Sequence, residues 1–440
     1  MSKTRTSLKA LAGLTLLSTA VLAGCSAGTE ASNDDNEKVT LTWWSWDIAD
    51  PKAVASQYEE AHPNVTIEVS QPQYNDYLTT LRPALTSGEG PDVFQVAPGT
   101  LLANYGPLAD DLAPLAESAW GADWRDNYSE VAVSQLSDGD KVVALPNYMS
   151  GAGLMYYNAS LVEELGIEIP TTVSEFVDAC STVTAAGYDC LAHGAKDAWV
   201  NTDVFQALAI SADGDALQAA IAGEGEWTDP ALVKAMTAWQ RLFTDGVIPS
   251  GASALSEYPD ANTNWLSNKA VFIALGTWNT PYTQIASGVE SQQEAVTTPI
   301  DGVFLSAPFP AVDGNEPAGL FGGVANGWAL NSASASKDAA FEFISWLSGK
   351  DGQQYLADNA IFPAYLGLSI DTSDVVDPRQ LDDIANQQTL LSEITYPREI
   401  PYPDLATAIG QALSEVAAGT ATPAAALETL QAASESIARG

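Results

Sequence analysis

The chain has 440 residues, 46% of them hydrophobic, and a formal net charge of −39. A surface that acidic repels phosphate backbones and anionic lipids, which argues against nucleic-acid binding. With two histidines and three cysteines in all, and no ligand-like spacing among them, a zinc centre is not expected and no cofactor is implied.

In chain order, Lys3, Arg5 and Lys9 form a basic start. Residues 10–23 are uncharged and apolar, too short for a stable membrane span and of the length of a signal-peptide core. The stretch ends in Leu22, Ala23, Gly24 and Cys25, small residues before a cysteine, as in a lipobox. Residues 1–24 are therefore expected to be a lipoprotein signal peptide. Cleavage would leave Cys25 as a lipidated first residue and, with three cations gone from −39, a charge of −42. Residues 25–37 carry the lipid and a small, polar, acidic tether with nothing to bury. Its twelve residues after Cys25 reach at most about 40 Å. Roughly 400 residues remain, too many for one core, so two lobes are expected.

Val39 to Trp43 alternate as a strand does. Asp50 and Pro51 open a helix that Pro63 stops, with Val54, Tyr58 and Ala61 on one face. Val65, Ile67 and Val69 make a second strand. A helix is expected over 75–86, with Pro83 kinking it or ending it early. Residues 91–96 make a third strand. This strand–helix rhythm means parallel pairing with helices on both faces, and ligands beyond the carboxyl ends of the strands. Helices are expected over 158–165, from 171 (with a capping box from Thr172 to Glu175), and over 230–243, 337–347, 407–417 and 424–438. Residues 270–275 read as a buried strand. Cys180 falls late in a helix and Cys190 in the strand after it. In an oxidising compartment a bond would staple the two; the alternative is a pair of buried thiols.

Four passages resemble the carbohydrate-type extracellular solute-binding lipoproteins of bacterial ABC importers, the broad maltose-binding-protein-like family. They are Ser87 to Phe94, turning into the third strand, and Leu145 and Pro146 followed by Leu154 to Leu161, Gly166 and Pro170 to Thr172. Asn268 to Phe272 with Gly276, Thr277 and Trp278, and Phe321 to Gly323 with Leu330 and Ala339 to Ile344, complete the set. In order and spacing they cover nearly all of 39–430. The resemblance implies an α/β, two-lobed periplasmic-binding-protein-like fold, with hinge crossovers and a ligand cleft. The N-terminal lobe would be 38–147 plus 325–366 and the C-terminal lobe 148–324 plus 367–440. It also implies a monomer on the extracellular face of the cell membrane, held there by lipid only, with ABC permease subunits as partners.

A sugar ring offers two apolar faces and a rim of hydroxyls, so its site needs aromatic rings and planar polar groups. Trp46 and Asp47 follow the first strand, while Trp43 ends it and belongs to the core. Gln95 and Thr100 lie at the third strand, where Asp92 braces the turn. Tyr148 sits at the first crossover, and Gly323 and Asn326 at the second. Trp199 is placed in the loop after the strand that holds Leu191. Trp278, with Asn279 beside it, takes the stacking position that the resemblance implies. Arg398, one of few arginines, either binds ligand or pairs with a surface carboxylate. The expected activity is capture of a mono- or oligosaccharide by cleft closure, not catalysis. A polyamine or peptide is the alternative ligand. A secreted glycoside hydrolase is the rival of another class, although 56 acidic residues make any carboxylate pair uninformative.

Overall fold

The computed structural model describes residues 38–48, 50–293, 296–300 and 302–439. The signal peptide, Cys25 and tether expected in 1–37 lie outside the described residues.

Strand β1 (Val39–Trp44) buries Leu41 and Trp43 on one side, as its alternation requires. Helix Pro51–Ala61 starts where Asp50 accepts the Ala53 N–H at 2.9 Å, with Pro51 in the first turn. Its buried face is Pro51, Val54, Ala55 and Tyr58; Ala61 is exposed. Then come β2 (Val65–Ser70), helix Tyr74–Ser87 and β3 (Val93–Val96). Strand β1 pairs in parallel with both β2 and β3. Pro83 does not end its helix, which runs on to Ser87. It stands on the exposed face, where water can satisfy the carbonyl that its missing N–H leaves free.

A two-residue hairpin, β4 (Ser137–Asp138) with β5 (Lys141–Val142), precedes the 14-residue strand β6 (Leu145–Asn158). After it come β7 (Asp189–Ala192), β8 (Ala270–Gly276), β9 (Phe304–Pro308) and β10 (Phe321–Leu330). The sheet order is β2-β1-β3-β10-β6-β8-β7, with β9 also on β6. Strands β6 and β10 are antiparallel and run from one to the other of the two largest buried cores. Leu145, Val324 and Trp328 pack in one core with Trp43 and Phe343. Met155 and Phe321 pack in the other with Phe176, Trp239 and Phe272. Pairing shifts register at Val324, Asn326 and Gly327, and at Ala152 and Leu154, so both strands bend between the cores. The chain passes from the first core to the second once more between Ala364 and Ile400.

Helix Val173–Ala185 opens with the expected capping box, in which Thr172 accepts from the Glu175 N–H and Glu175 from the Thr172 N–H. Its Cys180 is bonded to Cys190 of β7, and both are buried. Helix Ala198–Ala222 corrects one expectation: Trp199 is in its first turn, not in a loop. This helix is buried nearly all round from Val200 to Ser211, so it shows no amphipathic period in the sequence. Pro230–Thr244 and Pro403–Ala417 pack beside it through Leu232, Trp239, Leu405 and Leu413.

Candidate functional site

A cavity of about 450 Å³ lies between the two cores. On the first side it is lined by Trp46, Asp47, Tyr74 and Ala97, which follow the carboxyl ends of β1, β2 and β3. This is where a parallel sheet places ligands, because the connecting segments diverge there. The second side supplies Trp199, Tyr258, Tyr282 and Arg398, together with Trp278 and Asn279 from the turn that ends β8. Tyr148 of β6 and Asn326 of β10 form the floor.

The rings make two walls. Trp46 meets Tyr74 at 5.6 Å and Tyr77 at 4.9 Å between centroids. Opposite, Trp199 lies parallel to Tyr258 at 6.0 Å. Trp278 approaches Trp199 at 6.3 Å and donates its indole N–H to the Tyr258 hydroxyl at 3.2 Å. Tyr74 and Trp199 touch edge to face across the cleft at 6.3 Å. Trp278 fits because Gly276 is bare: a Cβ there would stand 2.1 Å from the indole.

Two charged centres serve the cavity. Asp47 accepts from the Tyr148 hydroxyl at 2.6 Å, the Asn326 amide at 3.1 Å and the Gln95 amide. Burial pushes its carboxyl above the ordinary value, against those three bonds. Arg398 forms a two-pronged pair with Asp203 at 2.8 and 2.9 Å and reaches Glu399 at 3.0 Å. Its guanidinium lies 4.7 Å over the Trp278 ring. Burial alone would lower its pKa, but the Asp203 and Glu399 charges outweigh that and hold it above the ordinary value.

Of the residues proposed from sequence, Trp46, Asp47, Tyr148, Trp199, Trp278, Asn279, Asn326 and Arg398 line the cavity. Gln95 lies behind it, fully buried, bonding Ser45 and the Trp46 N–H and aiming Asp47. Thr100 meets the facing lobe instead, donating to the Ile400 carbonyl at 3.3 Å. Gly323 borders a small side pocket and makes room for Gln135, whose amide oxygen would be 2.2 Å from a Cβ there. Tyr74, Tyr258, Asn262, Tyr282 and Glu399 line the cavity without having been singled out. Tyr74 follows β2, a position that the carboxyl-end rule marks; Tyr258 and Tyr282 lie in excursions with no local signal. The carboxylate on Arg398 is buried Asp203, not a surface group.

The lobes also touch directly. The Asn75 amide donates to Asp197 at 3.1 Å. Gly99, at φ +70°, presses on the 399–400 segment, where a Cβ would stand 2.7 Å from the Glu399 Cβ and 2.8 Å from the Ile400 carbonyl oxygen. Close behind, buried Glu257 accepts the Gly194 N–H at 2.7 Å, and its own N–H donates to Asp197 at 2.8 Å. Burial pushes the Glu257 carboxyl up to about 8. His193 is also buried, which pushes its imidazole down to about 4, and it bonds Asn201 away from the cavity.

Two α/β lobes around a cleft, joined by crossing strands and lined with rings and planar polar groups, are the architecture of a solute-binding protein. Residues 45–354 match the bacterial extracellular solute-binding protein family, and the chain belongs to that family. An uncharacterized ABC transporter extracellular-binding protein of Pyrococcus horikoshii is 22% identical over 434 residues, covering 95% of this chain and 93% of the relative. The multiple sugar-binding protein of Streptococcus mutans is 25% identical over 281 residues, or 62% of this chain and 64% of the relative. Among solved structures, a chitin oligosaccharide binding protein superposes with a TM-score of 0.75 at 19% identity, covering 90% of this chain and 98% of the other. Maltose-bound MalE3 of T. maritima gives 0.70 at 20%, covering 90% and 99%. The two-lobed fold is thereby shared.

Proposed function

We propose that this protein is the substrate-binding component of an ABC importer and captures a mono- or oligosaccharide by closure of its cleft. The observation that carries this reading is the cavity itself: opposed aromatic walls for the apolar faces of a sugar, with amide, phenol and carboxylate groups around them for its hydroxyls. The names of relatives support it: a multiple sugar-binding protein, a melibiose/raffinose/stachyose-binding protein of Bacillus subtilis, a chitin oligosaccharide binding protein and maltose-bound MalE3. On this reading the lobes are 38–147 with 325–366 and 148–324 with 367–440, and closure is a hinge motion at their three crossings. The protein works as a monomer, tethered by lipid on Cys25 to the outer face of the cell membrane, and delivers its ligand to permease subunits without altering it.

The test is tryptophan fluorescence of the chain from Ser26 onward, titrated with mono- and oligosaccharides. A saturable change with one of them is expected. Silence across the panel, with thermal shifts in agreement, would overturn the carbohydrate reading in favour of a polyamine or peptide. Hydrolysis of a chromogenic glycoside would overturn the binding-only role.

A further inference from the structure

A site that withdraws charges from water must compensate them, because an unpaired buried charge costs several kcal/mol. Among the described lining residues Arg398 is the cation, and it is already engaged. Asp203 holds it from two sides and Glu399 from a third, so two carboxylates share one guanidinium. Asp47 stands outside this group. Its partners, Gln95, Tyr148 and Asn326, are all neutral, and no ion pair among the described residues includes it. By formal count the described lining residues have carboxylates in excess over their one guanidinium, and burial acts against that excess by raising the Asp47 and Glu399 carboxyls.

That excess sits among rings. Trp46 adjoins Asp47, and Tyr74 packs on Trp46. Tyr282 lines the same cavity as Asp47, and burial first, then the Asp47 charge, hold its phenol above the ordinary value. The Tyr74 phenol is raised in the same way, by burial, then Glu399, with Asp203 and Asp47 adding and Arg398 opposing. Ring faces attract cations, most strongly where water is excluded. On the cavity wall, the amide oxygen of Asn262 and the amide nitrogen of Asn279 are buried without a hydrogen-bond partner in the protein. A hydroxyl would bond Asp47 but leave its charge uncompensated. An ammonium group supplies the charge, the N–H donors and the fit to the rings together.

We propose, resting on the carbohydrate reading above, that the captured saccharide is an amino sugar whose free ammonium group sits between Asp47 and the rings of Trp46, Tyr74 and Tyr282. Arg398 does not repel it, because Asp203 and Glu399 neutralise the guanidinium where it lies over Trp278.

The experiment is calorimetric titration at pH 6.5 of the unlipidated chain with three β-1,4 disaccharides: the free-amine glucosamine dimer, its N-acetylated form and cellobiose. They differ only at the second carbon, which bears an ammonium, an amide or a hydroxyl. The amine is expected to bind about tenfold tighter than cellobiose, with the preference shrinking as salt rises. In Asp47→Asn the ratio should fall to about one, while Glu163→Gln, which removes an exposed carboxylate paired with Arg379 outside the cavity, should keep it. Equal or tighter binding of the neutral sugars overturns the proposal and leaves the carbohydrate reading standing. A preference that survives Asp47→Asn also overturns it. A linear diamine that binds where all three sugars fail overturns both, as does silence from every ligand.

Discussion

At the scale of single residues, Trp278 carries the sharpest expectation. Its ring joins Trp199, Tyr258 and Arg398, yet it is only partly buried. Trp278→Ala should weaken sugar binding about thirtyfold or more, as loss of a central aromatic anchor does. The thermal midpoint of the unliganded protein should stay within a few degrees. Intact affinity with a large fall in midpoint would place Trp278 in the core instead. Glu257 makes a prediction about pH. Its carboxyl is raised by burial to about 8, with the Gly194 N–H opposing and Asp197 and Asp203 adding; Asp260 and Lys196 lie further along the same loops. A raised acid is stabilised in its protonated form. Its contribution is therefore full below about 4.5 and is lost as pH rises through about 8. Melting curves of Glu257→Gln should diverge from the wild type as pH increases, the variant becoming the relatively more stable. Parallel curves from pH 5 to 9 would refute this. Single residues were legible where a strand end announced them, as at Trp46 and Trp278. Tyr258 and Tyr282 were not, because long excursions of chain bring them to the cavity and no nearby pattern marks their direction.

At the scale of elements, alternation and caps were enough to read β1, β2 and the helices capped by Asp50 and Thr172, since one buried face imposes a period, whereas β8, buried at every residue, was read from its unbroken apolar run. Helix Ala198–Ala222 escaped for the opposite reason: with both faces buried, its sequence shows no period, so Trp199 was taken for a loop residue. Strand β6 hides its function similarly. Its 14 residues are almost all buried, so no alternation marks where it leaves one core for the other, and the crossing near Tyr148 is expected from the resemblance alone. The bond between Cys180 and Cys190 closes a separation of only 10 residues. Such a short loop stabilises by about 3 kcal/mol in the chain-entropy account. A Cys180→Ser, Cys190→Ser double variant should fold and bind sugar while melting several degrees lower. Loss of binding at a temperature where the variant is still folded would show that the bond shapes the cavity as well as the helix.

At the scale of the whole molecule, the lobes are not beads on a string. Strands β6 and β10 carry one hydrogen-bonded sheet through both cores, and Asp47, Tyr148, Asn147 and Asn326 knit those strands together beneath the cavity. The cavity floor and the strands that cross between the cores therefore share the same few residues, so under the proposed hinge motion filling of the cavity would be coupled to the angle between the lobes. Where the lobes meet again at the rim, Gly99 offers bare backbone to Glu399 and Ile400. A single added methyl group at that point acts as a doorstop. Gly99 is not itself a lining residue, but it abuts Glu399, which is, and under the proposed closure its smallness would set how far the jaws shut. For anyone turning this chain into a solute sensor, position 99 is a dial that adds no group to the cavity wall: under the proposed closure it would tune the resting population of open molecules, and hence the concentration range over which the signal responds.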